Sequence, residues 1–297
     1  MIAFRDITIQ DKDTITAYTM NSCRRNCDLS FSNLCSWRFL YHTKFAIINN
    51  FLVFKFWAGD ELAYMMPVGE GNLEEVLNEL IEDARQEGEP FCMLGVCSCM
   101  REDLEAIMPG QFGFTVDRDY ADYIYLRSDL ATLKGKKFQF RNTYPDYKYS
   151  PITKDRIQEC LELEAKWCKA NDCDQQEGTG NERRALIYAL NHFEELGLTG
   201  GILHVNGQIV AFTFGMPINK ETFGVHVEKA DTSIDGAYAM INYEFANHIP
   251  EQYIYINREE DLGIEGLRKA KLSYHPETIL EKYMACLKEQ PVEMIKW

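Results

Sequence analysis

The chain has 297 residues, which is enough for one large domain or two of ordinary size. Hydrophobic residues make up 46% and charged residues 26%, which excludes a wholly disordered chain, a collagen-like fibre and a small disulfide scaffold. The formal net charge of −15 repels polyanions at long range. Nucleic acid or anionic lipid could therefore bind only at a local cluster of basic side chains.

The sequence shows no targeting or membrane-spanning segment. Its N-terminus lacks the apolar stretch of a signal peptide, and the apolar run over residues 45–58 is interrupted by Asn49, Asn50 and Lys55. We therefore expect a cytosolic protein whose ten cysteines are free thiols. Their spacing does not match a zinc site and no histidine motif stands beside one, so we expect no metal and mostly buried, unreactive thiols.

The first half of the chain predicts a mixture of helices and strands. Apolar residues recur at helical spacing over residues 72–87, where Asn72 is a candidate N-cap and Gly88 a helix end. Residues 58–60 are typical of a hairpin turn. The remaining predicted elements are helices over 11–21 and 101–108 and strands over 51–57, 61–66, 91–96, 112–116 and 121–126.

The second half predicts the order α-α-β-β-β-α-β-α-β. Asn206-Gly207 between two apolar runs is a strong hairpin signal. The predicted helices cover residues 154–171, 181–195, 236–247 and 264–270, and the predicted strands cover 202–205, 208–214, 222–228, 253–257 and 279–284. The boundary between the halves falls between about Ser128 and Pro151, where the pattern has little period and much charge.

Common catalytic motifs are absent from the sequence. It contains no Gly-x4-Gly-Lys-Ser/Thr phosphate loop, no Gly-x-Gly-x-x-Gly dinucleotide motif, no His-Glu-x-x-His and no Gly-x-Ser-x-Gly. Kinases, Rossmann dehydrogenases, zincins and serine hydrolases therefore lose support.

A strand-loop-helix unit over residues 222–242 is the first candidate site. Asp235, Gly236 and Ala237 stand at a predicted helix start, whose free backbone N–H groups attract anions. On the preceding strand, His226 and Glu228 share a face by alternation, so either could serve as a general base. An ordinary N-cap with a tight turn, and a solvated or structural pair on the strand, are the competing interpretations.

Two clusters of basic residues could grip phosphate. The first follows a predicted strand over residues 257–276, and it includes Asn257, Arg268, Lys269, Lys271 and the possible proton donor Tyr274. The second interleaves basic residues with Phe138 and Phe140, and it comprises Lys134, Lys136, Lys137 and Arg141. A charged surface helix and a solvated linker are the respective alternatives.

Six segments carry a resemblance to a known family. Residues 27–37, 133–137, 225–231, 236–238, 256–263 and 266–274 resemble the bacterial family named for the C-terminal domain of phosphatidylglycerol lysyltransferase. The resemblance implies an α+β protein with two GNAT-like acyltransferase domains, each a mixed, mostly antiparallel sheet flanked by helices, related to Fem-type peptidyltransferases. The domains would cover residues 1–130 and 151–297, with a basic linker over 131–150.

The resemblance further implies acyl or aminoacyl transfer. The donor would lie between strands 222–228 and 253–257, with its phosphates on the loop that reaches residues 235–237. Glu228 or His226 would take a proton from an amine or hydroxyl acceptor, and Tyr274 would protonate the leaving group. Asn257, Arg268, Lys271 and the cluster over residues 134–141 would contact the donor.

The donor itself stays open between a coenzyme A thioester and an aminoacyl-tRNA. The net charge of −15 favours a small donor, because a tRNA needs a long basic footprint. Of the GNAT phosphate motif only Gly236 and the helix start are kept. A non-catalytic protein that binds a coenzyme A-like or nucleotide ligand in the same cleft is therefore the alternative function.

Overall fold

The computed structural model describes residues 2–171, 177–288 and 295. They form two compact units, one made of the chain up to Tyr123, Glu260–Ser273 and the chain from Thr278 onward. The other is made of Ile124–Glu259 and Tyr274–Glu277. Both contain a mixed, mostly antiparallel sheet with helices, so the predicted α+β class is confirmed.

The first unit is built on a sheet in which strands, numbered along the chain, follow the order β1-β2-β3-β4-β6-β15-β7, while β5 pairs with β3. Its strands are β1 (Arg5–Asp6), β2 (Lys44–Ile48), β3 (Phe51–Ala58), β4 (Glu61–Met65), β5 (Val68–Gly69), β6 (Cys92–Val96), β7 (Phe112–Val116) and β15 (Tyr283–Leu287). Its helices are α1 (Lys12–Thr19), α2 (Phe31–Ser36), α3 (Arg38–Tyr41), α4 (Leu73–Glu87), α5 (Ser98–Ile107) and α12 (Glu265–Leu272). Short 3-10 turns cover Ile9–Asp11, Cys27–Leu29 and Arg118–Tyr120, and β14 (Thr278–Leu280) is a short strand.

Helix α4 shows how local sequence determines an element. The Asn72 side chain accepts a hydrogen bond from the Glu75 backbone N–H at 3.3 Å, and Gly88 ends the helix in the left-handed region with φ +82°. The buried face, which includes Val76 and Leu80, packs in one core with strand residues such as Tyr64. Each buried aliphatic side chain contributes about 1.5–3 kcal/mol. The predicted helix is confirmed at both ends.

The two units do not follow the predicted domain boundaries, because the C-terminal strand β15 belongs to the first unit. It pairs antiparallel with β6 and β7 and so completes the sheet of the first unit, although the sequence places it in the second half. Residues 260–273 also belong to the first unit. Pairing between strands so far apart in the chain leaves no local signal, which is why periodicity could not reveal it.

The same pairing overturns the prediction of ten free thiols. Cys92 on β6 and Cys286 on β15 are directly opposed and form a disulfide, 194 residues apart in the chain. The described free thiols include buried Cys27, Cys35, Cys97, Cys160 and Cys168 and exposed Cys23 and Cys99. Cys173 lies outside the described residues.

The disulfide makes thiol titration of denatured, unreduced protein a direct check. We expect at most eight reactive thiols, because two of the ten cysteines are joined. Reduction before denaturation should raise the count to ten. A count of ten without reductant, in protein kept from reducing agents during purification, would contradict the bond.

The second unit contains a sheet in which strands follow the order β8-β13-β12-β11-β10-β9. Only β12 and β13 are parallel among these neighbours. Its strands are β8 (Asp122–Leu126), which begins in the first unit, β9 (Lys148–Pro151), β10 (Thr199–Val205), β11 (Gln208–Pro217), β12 (Thr222–Ala230) and β13 (Tyr255–Asn257). Its helices are α6 (Arg127–Leu130), α7 (Lys136–Thr143), α8 (Ile157–Ala170), α9 (Glu177–Asn191), α10 (Phe193–Leu196) and α11 (Ala237–His248), with a 3-10 turn at Lys154–Arg156.

The predicted basic linker contains a packed helix. Residues Lys136–Thr143 form α7, and Phe140, which is 1% exposed, shares a core with Ala237, Met240 and Ile241 of α11. Charge dominates this segment, so hydrophobic periodicity does not reveal its helix, whose buried residues are Lys137 and Phe140.

Candidate active site

The pairing of the two central parallel strands of the second unit stops part-way along β12. Three residue pairs join β12 to β13, ending at Gly224 opposite Asn257, after which β12 continues to Ala230 while β13 stops. The pairing of β12 with β11 shifts register at this level, because Phe214 opposes Val227 whereas Gly215 opposes Val225. His226 is therefore the extra residue of a β-bulge, a device that redirects a side chain and often lies beside active sites.

The bulge needs the two strands to approach unusually closely. A Cβ on Gly215 would stand 1.8 Å from the backbone oxygen of Gly224, which no side chain tolerates. The hydroxyl of Thr213 donates to the Val227 backbone oxygen at 2.8 Å, so this carbonyl of the bulged strand is satisfied. The local sequence therefore keeps His226 in an irregular but fully supported segment.

Glu228 is held by an arginine that sequence reasoning did not single out. Arg258 Nη2 donates to Glu228 Oε1 at 2.9 Å, and the side chains are only 10% and 12% exposed. The Arg258 guanidinium also lies 4.8 Å from the centroid of the Tyr274 ring. Burial raises the pKa of the Tyr274 phenol, while Arg258 acts in the opposite direction. Tyr274 thus remains a protonated hydroxyl beside a fixed cation.

His226 forms a second pair with the residue after Arg258. Its Nδ1 lies 2.8 Å from Glu259 Oε1, and the imidazole side chain is 4% exposed. A carboxylate accepts hydrogen bonds, so Nδ1 is assigned as the donor of this pair, and in the uncharged form of the ring the lone pair is then on Nε2. The structure therefore brings predicted residues Glu228 and Tyr274 together through Arg258, and gives His226 an orienting carboxylate.

Asn257 has a structural use that the prediction did not include. It is completely buried, and its Oδ1 accepts a hydrogen bond from the Glu259 backbone N–H at 2.7 Å. This side-chain turn redirects the chain directly after β13. It sets Arg258 and Glu259 toward their separate partners on β12. The signal that could have revealed both residues is their position immediately after a strand.

The predicted phosphate ligands Arg268 and Lys271 are engaged by groups of the first unit. Arg268 contacts Asp261 at 2.7 Å and Asp119 at 2.5 Å, and these carboxylates raise the pKa of its guanidinium further. The Lys271 ammonium is buried and donates to the Glu260 backbone oxygen. Both cations are thus engaged by carboxylate and carbonyl groups of their own unit, and their role as phosphate ligands stays a prediction.

The second basic cluster is divided between surface and interior. Lys134, Lys136 and Arg141 are exposed, and Lys136 lies 3.5 Å from Asp235. Lys137 is instead buried and donates to the backbone oxygens of Leu130 at 2.8 Å and Thr132 at 3.2 Å. Burial lowers the pKa of Lys137 to about 8. The four residues do not form one anion-binding patch, because the helix turns Lys137 away from the others.

The predicted phosphate loop has a strong structural role. Gly236 is the N-cap of α11 with φ +81°, and a Cβ there would lie 3.1 Å from the Lys136 backbone oxygen and 3.2 Å from Phe140 Cβ. The Asp235 carboxylate is 82% exposed at the same helix start, where it would repel a phosphate. Ala237 is buried in the core that α7 and α11 share. The loop geometry is thus explained by packing against α7.

This packing predicts a stability effect for a Gly236→Ala variant. We expect the free energy of unfolding to fall by about 1–3 kcal/mol, since the residue must keep a left-handed conformation beside a backbone oxygen. A urea melt measures the loss. Gly266→Ala is the matched control, because Gly266 lies within α12 and a Cβ there meets no atom within 4 Å. An equal change in both variants would contradict the packing role.

The first unit contains a buried charged cluster around Lys282. This ammonium is fully buried and lies 3.0 Å from Asp122 and 3.3 Å from Asp28, and it also pairs with Glu260. Burial and the surrounding carboxylates raise the pKa of the Cys27 thiol well above its usual value, so the thiol is not a nucleophile. Cys27, Asp28 and Glu260 have donor atoms within 4.8 Å of one another, but the Lys282 ammonium already supplies the cation.

A known protein family matches most of the chain. The family described as phosphatidylglycerol lysyltransferase, C-terminal, matches residues 20–286. The chain belongs to this family. A crystal structure of a conserved protein of unknown function from Bacteroides thetaiotaomicron is 80% identical, with a TM-score of 0.94 over 97% of this chain and 100% of that one.

Two more distant structures share the fold. L-PGS from Bacillus licheniformis is 15% identical, with a TM-score of 0.66 over 98% of this chain and 96% of that one. FemX is 9% identical, with a TM-score of 0.59 over 97% and 98% of the two chains. The predicted GNAT-like fold, shared with these two proteins, is confirmed at the level of the fold.

A curated relative gives only partial overlap. An uncharacterised protein from Mycoplasmoides gallisepticum is 24% identical over 174 residues, which span 55% of each chain. The chain therefore matches about half the length of this relative. Within the described parts of the chain, no helix combines the length and the apolar character that crossing a bilayer requires.

Proposed function

We propose that the protein is an acyltransferase that moves an acyl or aminoacyl group from an activated carrier to an amine or hydroxyl acceptor. The observation that carries the proposal is the pair of contacts His226–Glu259 and Glu228–Arg258, formed where β12 continues past the end of β13. We expect the backbone N–H groups of β12 beyond Gly224 and the side chains of His226 and Glu228 to face the bound substrate at this point. The family and the fold support this class of reaction.

In this proposal His226 is the general base. Glu259 holds Nδ1–H, so the Nε2 lone pair takes the proton that the acceptor loses on attack. Glu259 acts through the imidazole and is a positioning residue. Glu228, fixed by Arg258, binds the acceptor beside the imidazole. Backbone N–H groups of β12 beyond Gly224 stabilise the negative charge that develops on the carbonyl oxygen.

Tyr274 is the proposed acid. Its raised pKa keeps the phenol protonated, and Arg258 beside it favours the phenolate that forms when the proton is given away. The acceptor of that proton is the leaving thiolate or ribose oxygen of the donor. Arg258 contacts both Glu228 and Tyr274, so it connects the proposed acceptor-binding residue with the proposed acid that releases the carrier.

For the donor, we propose a coenzyme A thioester ahead of an aminoacyl-tRNA. The net charge of −15 supports the smaller donor. The exposed side chains of Lys134, Lys136 and Arg141 are the groups of the second unit that we propose for its phosphates. Charge reversal at Lys134 and Arg141 together should weaken donor binding and flatten its dependence on salt.

The test is turnover with a panel of acyl-coenzyme A thioesters and aminoacyl-tRNAs, each offered with amine and hydroxyl acceptors and read by mass spectrometry. We expect transfer that is lost in Glu228→Gln and Tyr274→Phe while donor binding persists. Asn247→Leu, an exposed position on α11, is the control. Retained coenzyme A or nucleotide without any turnover would instead support a non-catalytic binding protein.

A further inference from the structure

Asn242 on α11 contributes an unusual group beside Glu228. The side chain is 4% exposed, and its Nδ2 points to Glu228 Oε2 at 3.5 Å. Its Oδ1 is enclosed and has no hydrogen-bond partner among the residues that the structure describes. A buried acceptor left without a donor costs about 1–3 kcal/mol, so nearly all such groups in folded proteins have one.

The orientation of this amide is determined by the carboxylate. Turning the amide over would place Oδ1 against Glu228 Oε2, and two oxygen acceptors repel each other. Nδ2 therefore faces Glu228, and Oδ1 is held on the same amide beside it. At 3.5 Å the contact is at the long limit of a hydrogen bond, so Oε2 keeps accepting capacity. Two acceptors, Glu228 Oε2 and Asn242 Oδ1, are thus placed together.

We propose that the acceptor substrate is a primary amine, whose two N–H groups are bound by Glu228 Oε2 and Asn242 Oδ1. This inference rests on the proposed acyltransferase function and narrows its acceptor from amine or hydroxyl to amine. Asn242 becomes a residue that determines specificity. Arg258 holds the other carboxylate oxygen of Glu228, which leaves Oε2 for the substrate.

Amine and hydroxyl acceptors differ in the number of hydrogens that they can donate in hydrogen bonds. A neutral amine that directs its lone pair at the acyl carbon has two N–H groups left, and the site supplies one acceptor for each. A hydroxyl in the same position has a single O–H. Its remaining lone pair would face Asn242 Oδ1, so two acceptors would be opposed. Sites that bind a substrate N–H strongly reject the analogue that lacks it.

The group transfer balances with the residues already described. The amine nitrogen forms a bond to the acyl carbon of the donor, and the bond from this carbon to the carrier's sulfur or oxygen breaks. One amine proton passes through Glu228 Oε2, which holds that N–H, to His226 Nε2, and the carrier leaves with the proton of the Tyr274 hydroxyl. Solvent returns a proton from His226 to Tyr274. The products are an amide and the free thiol or hydroxyl of the carrier.

The experiment compares glycinamide with glycolamide, which differ only in an amine against a hydroxyl, using the donor that turns over in the panel. We expect the wild-type protein to prefer glycinamide by at least tenfold in kcat/KM, after correction for free amine. In Asn242→Leu the value for glycinamide should fall at least tenfold while that for glycolamide does not, so the preference collapses. Asn247→Leu on the same helix should preserve it.

Two results would overturn the proposal while leaving acyl transfer intact. One is a wild-type protein that prefers glycolamide, which needs no variant and so does not depend on folding. The other is an unchanged preference in a folded Asn242→Leu variant, which would mean that Oδ1 serves only an internal water. The absence of transfer to both acceptors from every donor would overturn the proposed function itself.

Discussion

Replacing His226 with alanine should lower the rate of acyl transfer about 100- to 10,000-fold, the usual contribution of a general base. At the bulge of β12, the imidazole of His226 pairs through Nδ1 with a carboxylate, and its uncharged form has a lone pair on Nε2. The measurement is kcat with the donor and acceptor identified in the panel. Donor affinity should change little, because the lost step is removal of a proton.

Two further variants distinguish a catalytic role of His226 from a structural one. His248→Ala removes an exposed histidine from α11 of the same unit and should leave the rate unchanged. Glu259→Gln should reduce kcat less than His226→Ala and should alter its dependence on pH, because an amide orients the ring without stabilising its charged form. If His226→Ala keeps more than a third of wild-type kcat, the assignment of the base is wrong.

The Lys282→Met variant should lose about 3–5 kcal/mol of unfolding free energy, the cost of leaving buried charges without their partner. Asp122 is completely buried, the side chains of Asp28 and Glu260 are 11% and 18% exposed, and all three lie around the one ammonium. Methionine fills a similar volume, so the loss of unfolding free energy measures the effect of removing the positive charge. Equilibrium unfolding in urea measures it. Lys269→Met, at an exposed position on α12, is the control and should change stability little.

The effect of Lys282→Met should depend on pH with a definite sign. Lys282 and backbone contacts hold the pKa of Glu260 at about 2, below its usual value, so this stabilisation is present above pH ~4.5 and lost as the pH falls through 2. In the variant, protonation relieves repulsion among the carboxylates. The difference between variant and wild type should therefore shrink on acidification from pH 7 to 4. If the difference in unfolding free energy grew on acidification, it would contradict the proposal that Lys282 compensates the charges of these carboxylates.

Several elements were predictable because their signals are local. Helix α4 carries its apolar face, its Asn72 cap and its Gly88 end within 17 consecutive residues, and the Asn206-Gly207 turn lies between two strands that pair directly. The position of His226 and Glu228 on one strand was also predictable. Their catalytic roles stay predictions, and the bulge at His226 was not visible because it depends on how β11 pairs.

The partners of the charged residues after β13 could not be read from the sequence. Arg258 pairs with Glu228, Glu259 with His226, Glu260 with Lys282 and Asp261 with Arg268. Four adjacent side chains thus serve four separate contacts, at chain separations from 7 to 33 residues. A run of charged residues has the same sequence pattern whether its side chains are solvated or buried. Their burial depends on which residues of other segments pack against them.

The sequence by itself determined the α+β class, the helices with complete caps, the main hairpins and the family. Each depends on periodicity, turn chemistry or motif, which act over a few neighbouring residues. Only the tertiary structure decided that β15 completes the first sheet, that Cys92 and Cys286 meet, and that Lys137 and Lys282 lie inside. These outcomes depend on contacts between distant segments, whose free energy is gained only when the whole sheet and its core have assembled.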